Sequence, residues 1–123
     1  MSMWLAVGIG GAVGSMARHA VNVAVLRALG TPVPFATAIV NIVGCFIIGV
    51  LAAALAGGSL RLGDTARAFV FVGLIGGFTT FSSLGLDTLT LVRAGAVSTA
   101  MINVAVQFGV GLAAVFLGFW IAR

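Results

Sequence analysis

The sequence predicts an all-α membrane protein of four transmembrane helices, the third broken at mid-membrane. Three observations carry this. The chain is 123 residues long, 62% hydrophobic and only 7% charged, with a mean hydropathy of +1.30; a soluble domain carries about a quarter charged residues. Its apolar residues gather into four stretches, each near the ~20 residues a spanning helix needs. The third stretch holds Gly76-Gly77-Phe78-Thr79-Thr80-Phe81-Ser82-Ser83 at its centre. Two glycines followed by four hydroxyl side chains make a poor helix interior. At that depth an opened backbone has no water to bond, so it must be buried in protein or line a polar cavity.

The first span covers about residues 4–26, Trp4 to Leu26, and turns polar late at Arg18, His19 and Asn22. The start, Met1-Ser2-Met3-Trp4, lacks the positive n-region of a cleaved signal peptide, so this run is expected to be retained. Gly30-Thr31-Pro32-Val33-Pro34 then breaks the chain, because proline disfavours helix at itself and just before. The second span is 35–56, ended by Gly57-Gly58-Ser59. Arg61, Asp64 and Arg67 mark a short wet loop, with Asp64 placed to cap the next helix. The third span, 66–92, has Thr79 at its midpoint and closes at Arg93-Ala94-Gly95. The fourth, 97–121, finishes in Gly118-Phe119-Trp120 with Arg123 at the interface, where Trp and Arg are favoured. Residues 1–123 thus form a single membrane domain.

Gly10 and Gly14, and likewise Gly73 and Gly77, are four residues apart and share a helix face, the spacing that lets backbones approach closely in lipid. Four thin helices of this kind do not enclose a pore alone, so a dimer is expected. The arginines add to this. One side would carry Arg61, Arg67 and Arg123, offset by Asp64; the other carries Arg27 and Arg93, joined by Arg18. The positive-inside bias is close to nil, which allows insertion in both orientations. The six basic residues stand singly and form no nucleic-acid patch. Cys45 is a lone thiol in an apolar run, best read as filler.

Gly10-Gly11-Ala12-Val13-Gly14-Ser15-Met16-Ala17-Arg18 resembles the first-helix motif of the Fluc (CrcB) fluoride channels. Thr37-Ala38-Ile39-Val40-Asn41-Ile42-Val43-Gly44 is similar to their second-helix motif, and Gly76-Gly77-Phe78-Thr79-Thr80-Phe81-Ser82 to their broken third helix. The resemblance covers the whole chain. It implies an antiparallel, dual-topology dimer in a bacterial plasma (inner) membrane, with two fluoride pathways. It also implies a structural sodium ion held by the backbone carbonyls of Gly76 and Thr79 from both copies. Asn41, Thr80, Phe81, Ser82 and Ser83 would then fall on or near the anion pathway.

Residue chemistry agrees with that assignment. Fluoride holds its water tightly, so a pathway must offer successive donors that bind without trapping it. Asn41 supplies an amide NH2 and Ser and Thr supply hydroxyls; Phe81 offers the positive rim of its ring. Thr37, Asn41 and Gly44 share one helix face, which adds Thr37 as a candidate. The sequence also departs from the family pattern. Leu84 stands where a second pore phenylalanine is expected, Gly111 and Val115 align with pathway serine and threonine, and Asp87 replaces a glutamate. Polarity in the fourth span sits instead at Asn103 and Gln107, held evenly between pathway lining and a dimer interface. A second explanation is that a paralogous subunit shares the pore.

Plainer roles compete at each position. Asn41 could merely bridge helices, and Thr79 and Thr80 could bond back to carbonyls one turn earlier; the glycine pair favours a true break. Arg18 is read as capping or positioning the broken helix of a neighbour rather than touching fluoride, and His19 as interfacial. A small dual-topology proton-coupled exporter is the rival function. It needs a membrane-embedded carboxylate, yet the acidic residues are Asp64 in a loop and Asp87 late in the third span. A purely structural membrane subunit would leave the hydroxyl cluster unexplained. An enzyme is not expected: no His/Asp/Glu cluster, activated cysteine or phosphate-cradling loop is present. The expected activity is passive fluoride export.

Overall fold

A computed structural model describes residues 1–30 and 34–123. Every regular element among the described residues is helical. Helix α1 runs Met3–Leu29; the Ser2 hydroxyl accepts from the Leu5 N–H at its start. It stops at Gly30, whose φ of +66° lies in the left-handed region that favours glycine. Of the expected proline break, residues 31–33 lie outside the described residues, and Pro34 immediately precedes α2, Phe35–Ala56.

Helix α3 covers residues 64–78 and is not uniform. It opens with one α-turn, Asp64–Arg67, continues as a π-helix over Ala68–Ile75 and closes as Gly76–Phe78. Asp64 sits inside the first turn; the cap is Gly63, and no side chain caps it, contrary to expectation. Thr79 (φ −79°, ψ 158°) and Thr80 (φ −156°, ψ 117°) are both extended. Helix α4, Phe81–Arg93, restarts with the Thr80 hydroxyl accepting from the Ser83 N–H at 3.2 Å. Helix α5 is Val97–Ala122.

The helices pack as two parallel pairs. Gly10 faces Gly73 and Gly14 faces Leu74 and Phe78, so α1 and α3 run in the same direction. Asn41 bonds Gln107 and Gly49 faces Val115, so α2 and α5 also run together. Both seams rely on bare backbone. A Cβ on Gly73 would lie 3.0 Å from the Gly10 Cα, and one on Gly77 would lie 2.6 Å from the Gly11 carbonyl oxygen. Cβ atoms on Gly49 and Gly118 would strike the carbonyls of Val115 and Phe46. Small residues at such spacing let the two helix axes close on each other.

The outer surface is apolar. Trp4, Met16, Val72, Met101, Phe116 and Trp120 all stand exposed, far more greasy surface than a water-facing monomer carries. Among the described residues, three helical stretches are long and apolar enough to cross a membrane: Phe35–Ala56, Asp64–Arg93 and Val97–Ala122. Although α1 has 27 residues, it is not among them. Its second half carries Arg18, His19 and Asn22, which lower its apolar content.

Candidate functional site

The two extended residues between α3 and α4 organise the site. In an unbroken helix the Thr80 N–H would bond the Gly76 carbonyl. It donates instead to Asn41 Oδ1 at 2.8 Å, while Asn41 Nδ2 donates to the Thr80 carbonyl at 3.0 Å. One side-chain amide thus pairs with both backbone groups of one extended residue, as a neighbouring β-strand would. This satisfies Thr80, which is buried, without water. Two further contacts fix the same point. Thr79 Oγ1 donates back to the Ile75 carbonyl at 3.0 Å, so back-bonding and the break coexist. Gly44 leaves room for the Thr79 methyl group, which a Cβ there would strike.

Behind Asn41 runs a chain of amides. Asn41 Nδ2 also donates to Gln107 Oε1 at 2.7 Å, and Gln107 Nε2 donates to Asn103 Oδ1 at 2.9 Å. Because the Thr80 backbone fixes which way Asn41 points, each amide orientation along this chain follows. Asn103 is 6% exposed, and its Nδ2 has no hydrogen-bond partner. Both hydrogens of the Asn41 NH2 are committed within the chain, so Asn41 acts on the backbone rather than offering a free donor.

Hydroxyls crowd the start of α4. Thr80 Oγ1 and Ser82 Oγ lie 3.1 Å apart, and Thr80 Oγ1 donates to Ser83 Oγ at 3.1 Å. Farther along, Thr37 Oγ1 donates to Asp87 Oδ2 at 2.6 Å, tying α2 to α4. On the opposite side Ser15 Oγ donates weakly to the Gly77 carbonyl at 3.4 Å, and Arg18 Nη2 reaches Ser15 Oγ at 3.5 Å. Arg18 therefore reaches the last turn of α3 in its own chain through Ser15.

Two hollows collect most of these residues. One, of about 330 Å³, is bordered by Asn41, Thr80, Phe81, Leu84 and Gln107. The other, of about 360 Å³, is bordered by His19, Asn22, Thr37, Ser83 and Asp87. The residues selected from the sequence are thus divided: Asn41, Thr79, Thr80, Phe81 and Gln107 share the first hollow, Thr37 and Ser83 the second, while Arg18, Gly76, Ser82 and Asn103 border neither. Among the described residues no three His, Cys, Asp or Glu side chains gather into a metal cluster. Carbonyl oxygens at the break are of another kind. The Thr80 N–H is held by Asn41 and the Ser83 N–H by Thr80 Oγ1, which removes the usual helical donors from Gly76 and Thr79.

The sequence reading did not anticipate the π-helical stretch before the break, nor Phe108. The Phe108 ring stands 6.3 Å from Phe81, edge to face at 88°, and borders the first hollow. No local motif marks either feature; Phe108 follows Gln107 in what otherwise reads as lipid-facing filler.

Residues 5–119 match the family described as CrcB-like protein, Camphor Resistance (CrcB). The fluoride-specific ion channel FluC of Roseiflexus sp. (strain RS-1) is 43% identical over 119 residues, covering 97% of this chain and 95% of the relative. Those of Opitutus terrae and Hyphomonas neptunium are 44% and 38% identical, covering 96% and 100% of this chain and 90% and 97% of the relatives.

Proposed function

We propose, from the premise that this chain belongs to the CrcB family, that it conducts fluoride passively out of the cell. It is a multi-pass bacterial membrane protein. In this reading four helices span the bilayer, two copies pair in opposite orientations, and each pore runs past the break between α3 and α4. The protein is a channel and not an enzyme. The observation that carries the proposal is the clamp of Asn41 on Thr80. It satisfies non-helical backbone inside a segment apolar enough to span; such backbone is tolerated in hydrocarbon only where it is buried in protein or lines a water-filled cavity, and both residues border the first hollow.

The same clamp supports a structural sodium ion. Gly76 is exposed and Thr79 half-buried, and their carbonyls have lost their helical donors. They would hold the cation together with the same pair from a second copy, as hard oxygen ligands suit it. A fixed positive charge there would lower the cost of an anion nearby. Phe81 and the hydroxyls of Thr80, Ser82 and Ser83 would line the pathway, with Asn41 shaping it. Thr37 and Gln107 would extend it, Asn103 would orient Gln107, and Arg18 would position the break.

The test is reconstitution of the purified chain alone into liposomes, with fluoride and chloride efflux followed by ion-selective electrodes. Rapid fluoride loss with chloride retained is expected, and replacing sodium by a bulky organic cation should slow it. Flux only after adding a paralogous subunit would move the reading to a heteromeric channel. No flux in either preparation would end it.

A further inference from the structure

The first hollow presents an electrostatic problem for an anion. Both hydrogens of the Asn41 amide are committed, one to the Thr80 carbonyl and one to Gln107. The Thr80 N–H is committed to Asn41, and the Thr80 hydroxyl to its serine neighbours. Donors that look available in the sequence are therefore mostly engaged in holding the break. What remains around the hollow is the second Nε2 hydrogen of Gln107, whose first goes to Asn103, and aromatic rims. An aromatic ring carries negative charge on its faces and positive charge along its edge. Two phenylalanines border this hollow, from different helices: Phe81 at the start of α4 and Phe108 on α5.

We infer that Phe108 is a pathway-lining residue, forming with Phe81 an aromatic pair whose ring edges receive the anion. Their edge-to-face arrangement at 6.3 Å and 88° rests the edge of one ring on the face of the other, so each ring holds its neighbour's orientation. Both rings are also accessible: Phe81 is 74% exposed and Phe108 51%. Leu84, which borders the same hollow, is buried and has no ring. A halide in the hollow beside the pair meets their outward edges, which carry weak positive charge rather than a strong donor. Such a lining stabilises an ion in transit without trapping it. The inference rests on the channel reading above and names a residue of that same site.

The experiment compares the wild-type chain with Phe108→Leu, Phe108→Trp and Phe116→Leu in the liposome efflux assay. Phe116 is equally apolar, lies on the same helix and is exposed, so it controls for loss of bulk. Fluoride efflux should fall by about tenfold or more in Phe108→Leu, fall less in Phe108→Trp, which keeps an aromatic edge, and stay near the wild-type rate in Phe116→Leu. Phe108→Leu at the wild-type rate would overturn the inference and leave the channel reading standing. Wild-type chain that does not conduct would remove the channel reading itself. A second measurement covers a leucine variant that fails to assemble. In wild-type protein with isotope-labelled phenylalanine, the Phe81 and Phe108 ring resonances should shift with added fluoride and not with added gluconate. Rings that ignore fluoride in a conducting protein would overturn the inference.

Discussion

The two helix pairs are joined by different means. Along α1 and α3 the contact is backbone against backbone, with Gly10 and Gly14 set against Gly73, Leu74 and Phe78. Along α2 and α5 that kind of contact occupies one end only, at Gly49 and Gly118. Toward the other end the seam is made by the amides of Asn41, Gln107 and Asn103. A seam of bare backbone has one geometry, because no side chain can rearrange to accommodate a shift. An amide seam has donors and acceptors that can change partners. The break at Thr79 and Thr80 lies between them, touched by Asn41 and Gly44 from α2, while Ser15 from α1 reaches the Gly77 carbonyl just before it. One pair acts as a frame, and the other holds the unwound residues.

If this division is correct, the largest effect comes from the amide that holds Thr80. Asn41→Leu would strand the Thr80 N–H, the Thr80 carbonyl and Gln107 Oε1. Each buried orphan costs ~1–3 kcal/mol. Thermal unfolding in detergent should fall by many degrees and fluoride efflux should disappear. Asn41→Asp keeps the acceptor for the Thr80 N–H but loses both donors, and should fall between wild type and leucine. A leucine variant as stable as wild type would show that the break does not depend on the clamp.

The frame should answer differently. Gly14→Val places side-chain atoms where the Leu74 carbonyl and the Phe78 amide nitrogen stand. Overpacking of this sort costs roughly 1–3 kcal/mol, read as lower yield and earlier unfolding. Because no polar group is stranded, the surviving fraction should still conduct. Loss of flux in well-folded Gly14→Val would join the frame to the pathway and dissolve the distinction between the pairs.

Much of this was legible in the sequence because it follows from periodicity and from residues with few structural uses. The Gly10/Gly14 and Gly73/Gly77 spacing predicted close approach, and the glycine–hydroxyl cluster drew attention to residues 76–83. What the sequence could not supply was the state of each polar group. Asn41 was selected as a donor facing an anion, and only the coordinates reveal that both its hydrogens are engaged. Phe108 escaped for a related reason. Its partner Phe81 is 27 positions earlier on another helix, and a pairing between distant elements leaves no local pattern. The π-helical stretch was equally hidden, since wider winding of this kind arises from packing and not from propensity.

The smallest effect tests the α2–α5 seam within itself. A Cβ on Gly111 would meet only the Cys45 Sγ, at an ordinary 3.5 Å, whereas one on Gly49 would strike the Val115 carbonyl. Both glycines lie in helix interiors, where alanine is favoured over glycine by roughly 0.5–1 kcal/mol. Gly111→Ala should therefore unfold at the wild-type temperature or slightly above it. Gly49→Ala, the same substitution on the facing helix, should unfold earlier, because its methyl group forces two backbones apart and loses more packing than the helix gains. The difference is readable by parallel thermal melts in one detergent. Equal behaviour of the two variants would mean that α2 and α5 have room to separate at Gly49, and that the close approach there does not hold this pair together.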